Sequence, residues 1–172
     1  IAQKAASLVR PGQSVAIENG GTTLAVARAL LKVPRIQVIT NSLQVAYIMN
    51  AYGRCHEVIL SGGKMRKDTY LQGPLTDMAL QRFRVDVCFI GAVSLSATRG
   101  ITDTDLERAR VKQRFIEIGQ KVVLAAAGEK VGREGAVLVE PIEVIDTLVT
   151  TGDIDASHRK AIEEKGVKVL VA

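Results

Sequence analysis

The chain has no tryptophan, and only 3% of its 172 residues are aromatic. That scarcity argues against a surface that stacks unpaired bases on aromatic rings. Cysteine is rare too. Cys55 and Cys88 lie in apolar contexts without CxxC spacing, which reads as buried free thiols in a reducing compartment. His56 and His158 are isolated, so no metal site is expected, and nothing calls for another cofactor. No apolar run approaches the roughly 18 residues of a membrane span. No signal-peptide pattern opens the chain. A cytoplasmic protein without membrane contact is expected. The start at Ile1, inside a helical pattern, reads as a fragment of something longer.

A run of basic residues is also missing. Lys and Arg number 23 against 18 acidic residues, giving a formal charge of +5, but they are scattered. There is no recognition-helix motif either, so weak nonspecific contact is the most expected of this stretch on DNA. A modest anionic ligand accounts for the charge as well.

Apolar residues, by contrast, are abundant, at 47%. They fall in short Val/Ile/Leu runs (SVAIE, IQVIT, EVILS, VDVCFIGA, KVVLAAA, VIDTLVT, VKVLVA) that alternate with helical patterns. Near-continuous runs of this kind are buried on both faces, as in a mostly parallel sheet covered by helices. No linker or internal repeat divides residues 1–172, so one α/β domain is expected.

In open parallel sheets, ligands bind beyond the carboxyl ends of the strands. After SVAIE comes Glu18-Asn19-Gly20-Gly21-Thr22-Thr23, then an Ala/Leu-rich helix. Glycines allow close backbone approach, and the helix start offers free N–H groups to an anion, with Thr hydroxyls beside them. A tight turn capped by threonine explains the same residues. The sequence is neither a Walker loop nor GxGxxG. Asn41-Ser42 follows IQVIT as a helix cap. Gly62-Gly63-Lys64-Met65-Arg66 follows EVILS and joins backbone freedom to two cations. Asp105 and Glu107 stand in the first turns of a long helix, where the dipole favours carboxylates. Asp105, Ala109 and Lys112 share one face of that helix. A second Gly/Lys/Arg loop, Gly128 to Arg133, contains Lys130. Together these loops favour an anionic, polyhydroxylated ligand, with a sugar phosphate fitting best.

The ordered set GGTT (20–23), VITNS (38–42), LSGGKMR (60–66), LQGP (71–74), FRVDVCFIGA (83–92), GITDTDLERARVK (100–112), EKVGR (129–133) and IDTLVT (145–150) resembles the C-terminal sensor domain of DeoR-family bacterial transcription regulators. The resemblance implies a fold like ribose-5-phosphate isomerase and the CoA-transferase group. It also implies a phosphorylated sugar or sugar derivative as effector. Operator DNA would be bound through an N-terminal helix-turn-helix domain outside this stretch, in a homo-oligomer, a dimer or tetramer. Carried onto this chain, Gly20, Gly21, Thr22 and Thr23 would hold the phosphate. Asn41 and Ser42 would line the sugar, with Gly63 and Arg66 beside them. Asp105, Glu107, Lys112 and Lys130 would supply acidic and basic groups. The chain departs from the family in three places. Glu18 replaces a common Asp or other acid, a harmless exchange. Arg108-Ala109 stands where Glu-Ala is frequent, which bears on selectivity. Ala125 to Ala127 replace polar residues, which places more weight on Lys130.

The same scaffold raises the alternative of a sugar-phosphate isomerase. Enediol chemistry needs a general base and an electrophile at the carbonyl oxygen. Isomerases of this fold carry an Asp-Gly-Ala-Asp run after the equivalent strand, whereas this chain has Ile90-Gly91-Ala92-Val93-Ser94. A receptor without catalytic residues is the expectation.

Overall fold

The computed structural model describes residues 1–53, 57–67 and 69–172, so the expectations for Cys55 and His56 lie outside the described residues. The elements run α1 (Ala2–Ala6), β1 (Ser14–Ile17), α2 (Gly21–Leu30), β2 (Gln37–Thr40), α3 (Leu43–Tyr52), β3 (Glu57–Leu60), β4 (Lys64–Met65), β5 (Leu71–Gln72) and α4 (Pro74–Leu80). They continue with β6 (Val85–Ile90), β7 (Ser94–Ser96), β8 (Gly100–Asp103), α5 (Leu106–Ile118), β9 (Gly119–Ala125), β10 (Val137–Glu140), β11 (Thr147–Thr150), α6 (Ala156–Glu164) and β12 (Lys168–Val171).

Seven strands form one parallel sheet in the order β12-β11-β9-β6-β1-β2-β3, the α/β architecture expected from the sequence. Alternate residues of a strand face opposite sides, which explains the unbroken apolar runs. In β6, Val87 and Phe89 join one core with Val15 and Ile17 of β1, under α1, α2 and α3. Cys88 and Ile90 face the other core, with Leu80 of α4, Phe115 of α5 and Ile162 of α6. Cys88 is a free, fully buried thiol, and burial pushes its pKa well above the usual thiol value. Among the described residues, no helix is long and apolar enough to cross a membrane.

Two smaller sheets lie outside this frame. β7, β8 and β10 pair antiparallel, and β4 pairs with β5 as a hairpin. The stretch 94–103 is thus a strand pair. Its run Ser94-Leu95-Ser96 is short and mixed, so the pattern is too brief to register as a strand. At Gly63, φ is +122° and an added Cβ would meet Thr76 Oγ1 at 2.1 Å and the Gln72 carbonyl at 2.8 Å. Only glycine permits the hairpin to sit this close to the start of α4.

Candidate functional site

The chain leaves β1 toward β2 and β3 on one side, and β6 pairs on the other. α2 follows β1 over one face, while α5 packs on the other, so a crevice opens at the carboxyl ends of β1 and β6. A cavity of about 320 Å³ occupies it, near the lower end of the ~300–1,000 Å³ typical of ligand sites. Its wall comes from four strand ends: residues 18–23 after β1, Asn41 after β2, residues 91–93 after β6, and Ala125 with Lys130 at and beyond the end of β9. Tyr70 and the α5 residues Arg108, Val111 and Lys112 close it.

α2 has Gly20 at its N-cap and no side-chain cap. The threonines do not cap it, contrary to the sequence reading, because both lie inside its first turn. The Thr23 hydroxyl is buried and donates to the Gly20 carbonyl at 3.0 Å. Thr22 is half-buried on the cavity wall. An uncapped start leaves the first N–H groups without side-chain acceptors and places the positive end of the dipole against the cavity.

Opposite this terminus stands a buried ion pair. Lys112 Nζ donates to Glu18 Oε1 at 2.5 Å and Oε2 at 2.6 Å, with both side chains at least nine-tenths buried. The Gly91 N–H donates to Glu18 Oε2 at 3.1 Å. Burial raises the Glu18 pKa above 4.5; the Lys112 charge and hydrogen bonds and the Gly91 N–H offset this, and Asp103 adds to the rise. Glu18 is the only carboxylate among the described lining residues, and three hydrogen bonds from Lys112 and Gly91 already engage its oxygens. Arg108 reaches the buried Asp103 at 3.4 Å, and Lys130 Nζ donates to the Ala92 carbonyl at 3.0 Å. The cavity therefore presents three cations against one carboxylate.

Of the residues singled out from sequence, Gly20, Gly21, Thr22, Thr23, Asn41, Lys112 and Lys130 meet around this cavity. Arg66 and Asp105 line a second cavity that shares Tyr70 and Arg108 with the first. Ser42, Gly63 and Glu107 line neither. Ser42 is buried as the α3 cap, its Oγ accepting from the Val45 N–H. Glu107 is exposed on the first turn of α5. Asp105 caps α5, accepting from the Arg108 N–H at 2.9 Å. Asn41 lines the cavity but spends its amide on the backbone, accepting from the Asn19 N–H and donating to the Leu71 carbonyl, each at 3.0 Å. Sequence reasoning missed Tyr70, the 91–93 backbone and the tie between Glu18 and Lys112. Ninety-four positions separate the paired residues, and no local pattern announces such a contact.

The DeoR C terminal sensor domain matches residues 1–152. The chain belongs to this family. Among curated DeoR-type relatives, the HTH-type transcriptional regulator GlpR of Haloferax volcanii is 36% identical over 171 residues, covering 99% of this chain and 66% of the relative. The glycerol-3-phosphate regulon repressor of Haemophilus influenzae is 28% identical over 171 residues, covering 99% and 66%. A putative aga operon transcriptional repressor of Escherichia coli O157:H7 is 25% identical over 173 residues, covering 99% and 64%. The chain thus spans just under two thirds of the length of these relatives. In structure, the DeoR sensor resembles ribose-5-phosphate isomerase A of Methanocaldococcus jannaschii, with TM-score 0.53, 15% identity, and coverage of 75% of this chain and 51% of the isomerase. The Neisseria gonorrhoeae isomerase gives TM-score 0.54, 16% identity, and coverage of 75% and 50%. That likeness is one of fold. The curated relatives are transcriptional regulators, so the chain stands with sensors rather than with the isomerases.

Proposed function

We propose that residues 1–172 act as one effector-sensing unit, which binds a phosphorylated sugar or sugar derivative in the α2 cavity and releases it unchanged. The observation that carries this reading is the uncapped α2 terminus facing a wall of Arg108, Lys112 and Lys130. The phosphate docks on the N–H groups of Gly21, Thr22 and Thr23. Sugar hydroxyls reach the Lys112–Glu18 pair and Lys130. The Haemophilus influenzae relative is named for the glycerol-3-phosphate regulon, which supports a phosphorylated effector.

The cavity wall is assembled from loops after separate strands, so a ligand that bridges them binds one arrangement more tightly than another. That difference in affinity is what any population shift requires. The shift passes to DNA-binding elements outside these residues, in a cytoplasmic homo-oligomer. A thermal-shift screen of sugar phosphates, with the matching free sugars as controls, tests the reading. Stabilisation by a phosphorylated form alone, with that compound recovered intact, is expected. Stabilisation by free sugars alone, or conversion of the phosphate during the assay, contradicts it.

A further inference from the structure

Beside the α2 cavity lies the second, larger cavity of about 640 Å³, between the β4–β5 hairpin and the start of α5. Among the described residues, its lining carries Lys64, Arg66, Lys67 and Arg108 against one carboxylate, Asp105. Asp105 is committed to capping α5. Among the described residues, no carboxylate forms an ion pair with Lys64, Arg66 or Lys67. Arg108 is paired with Asp103, but the three hairpin cations repel each other, and an anion between them removes that repulsion.

The hairpin that carries these cations is tied down at its base. Leu71 N–H donates to the Asn41 carbonyl at 2.8 Å, and Leu43 N–H donates to the Thr69 carbonyl at 3.0 Å. Tyr70 is 5% exposed and lines both cavities. Arg108 also faces both. The two cavities therefore meet at a shared Tyr70–Arg108 wall, with separate cationic groups on either side.

We infer that the hairpin cavity is a second anion subsite, and that the effector carries two separated anionic groups, a phosphate at α2 and a second phosphate or a carboxylate at Lys64, Arg66 and Lys67. This rests on the sugar-phosphate reading of the α2 cavity. An effector with a single phosphate group, seated at α2, leaves the hairpin cations unneutralised, so the second group supplies selectivity among phosphorylated compounds.

The test is calorimetric titration of the 172-residue chain with fructose 6-phosphate, fructose 1,6-bisphosphate and 6-phosphogluconate at fixed salt. At least one of the two compounds with two anionic groups (called doubly anionic, against the singly anionic fructose 6-phosphate with one group) is expected to bind about tenfold tighter than fructose 6-phosphate, the scale of one added charge-assisted contact. Preference for the bisphosphate or for 6-phosphogluconate identifies the second group as phosphate or carboxylate. In K64Q/K67Q the ratio of doubly to singly anionic affinity should fall toward one, and circular dichroism should show the fold retained. Equal or weaker binding of both doubly anionic compounds overturns the subsite while leaving the sugar-phosphate reading standing, as does a ratio unchanged in K64Q/K67Q. Absence of binding by all three overturns the subsite, and failure of the wider sugar-phosphate screen would then also overturn the reading beneath it.

Discussion

Lys112 of α5 and Glu18 after β1 are joined by two hydrogen bonds, at 2.5 and 2.6 Å, in the floor of the α2 cavity. The pair fastens the helix on one face of the sheet to the loop that starts the helix on the other. Any ligand that touches it therefore touches both layers.

Breaking one half of the pair strands the other charge. Lys112→Met should destabilise the domain by about 3–5 kcal/mol in urea unfolding, because Glu18 is left buried without its partner. The double variant E18Q/K112M should recover much of that loss, and a coupling near zero in the double-mutant cycle would contradict the assignment.

The pH dependence has a definite sign. Burial raises the folded pKa of Glu18 above 4.5, so its contribution is fully present below 4.5 and is lost as pH rises through the folded value. The stability difference between wild type and E18Q should therefore fall across that window. Asp86 behaves oppositely. Ser14 donates to it from both N–H and Oγ at 2.7 Å, holding its pKa below 3.8. Its contribution is present above 3.8 and vanishes as pH falls through the folded value, so D86N should lose acid sensitivity there. Urea titrations at several pH values check both signs.

The two threonines should separate cleanly. Thr22→Val removes a hydroxyl from the cavity wall, weakening ligand stabilisation while leaving the unliganded melting temperature nearly unchanged. Thr23→Val removes the bond to the Gly20 carbonyl and should cost about 1 kcal/mol without ligand. Thermal melts with and without ligand distinguish them.

These contrasts show where the sequence was legible. The parallel sheet announced itself, because strands buried on both faces need apolar residues at nearly every position, as in Val85–Ile90. α3 could be read from Ser42 onward because its cap is local. Helix-start reasoning picked out the glycine–threonine loop, yet the same local logic could not separate Thr22 from Thr23, whose burial depends on the neighbouring core. Lys112 was reachable through its helix face, but its partner was not, since the contact exists only once β1 and α5 pack on one sheet. The short strands β4, β5 and β7 escaped notice because two or three residues carry no periodicity.

Gly63 offers a backbone test. Gly63→Ala should destabilise the fold by about 1–3 kcal/mol, since a Cβ at φ +122° meets both Thr76 and the Gln72 carbonyl. The same protein should bind ligand less tightly as the hairpin shifts. A fully stable G63A variant in urea unfolding would contradict this packing.

A structure of the chain bound to a stabilising sugar phosphate tests the α2 phosphate site most directly. Phosphate oxygens are expected within about 3 Å of the amide nitrogens at the start of α2, from Gly21 to Thr23, with sugar hydroxyls toward Lys112 and Lys130. A phosphate seated elsewhere, with the α2 terminus contacting only water, would contradict it.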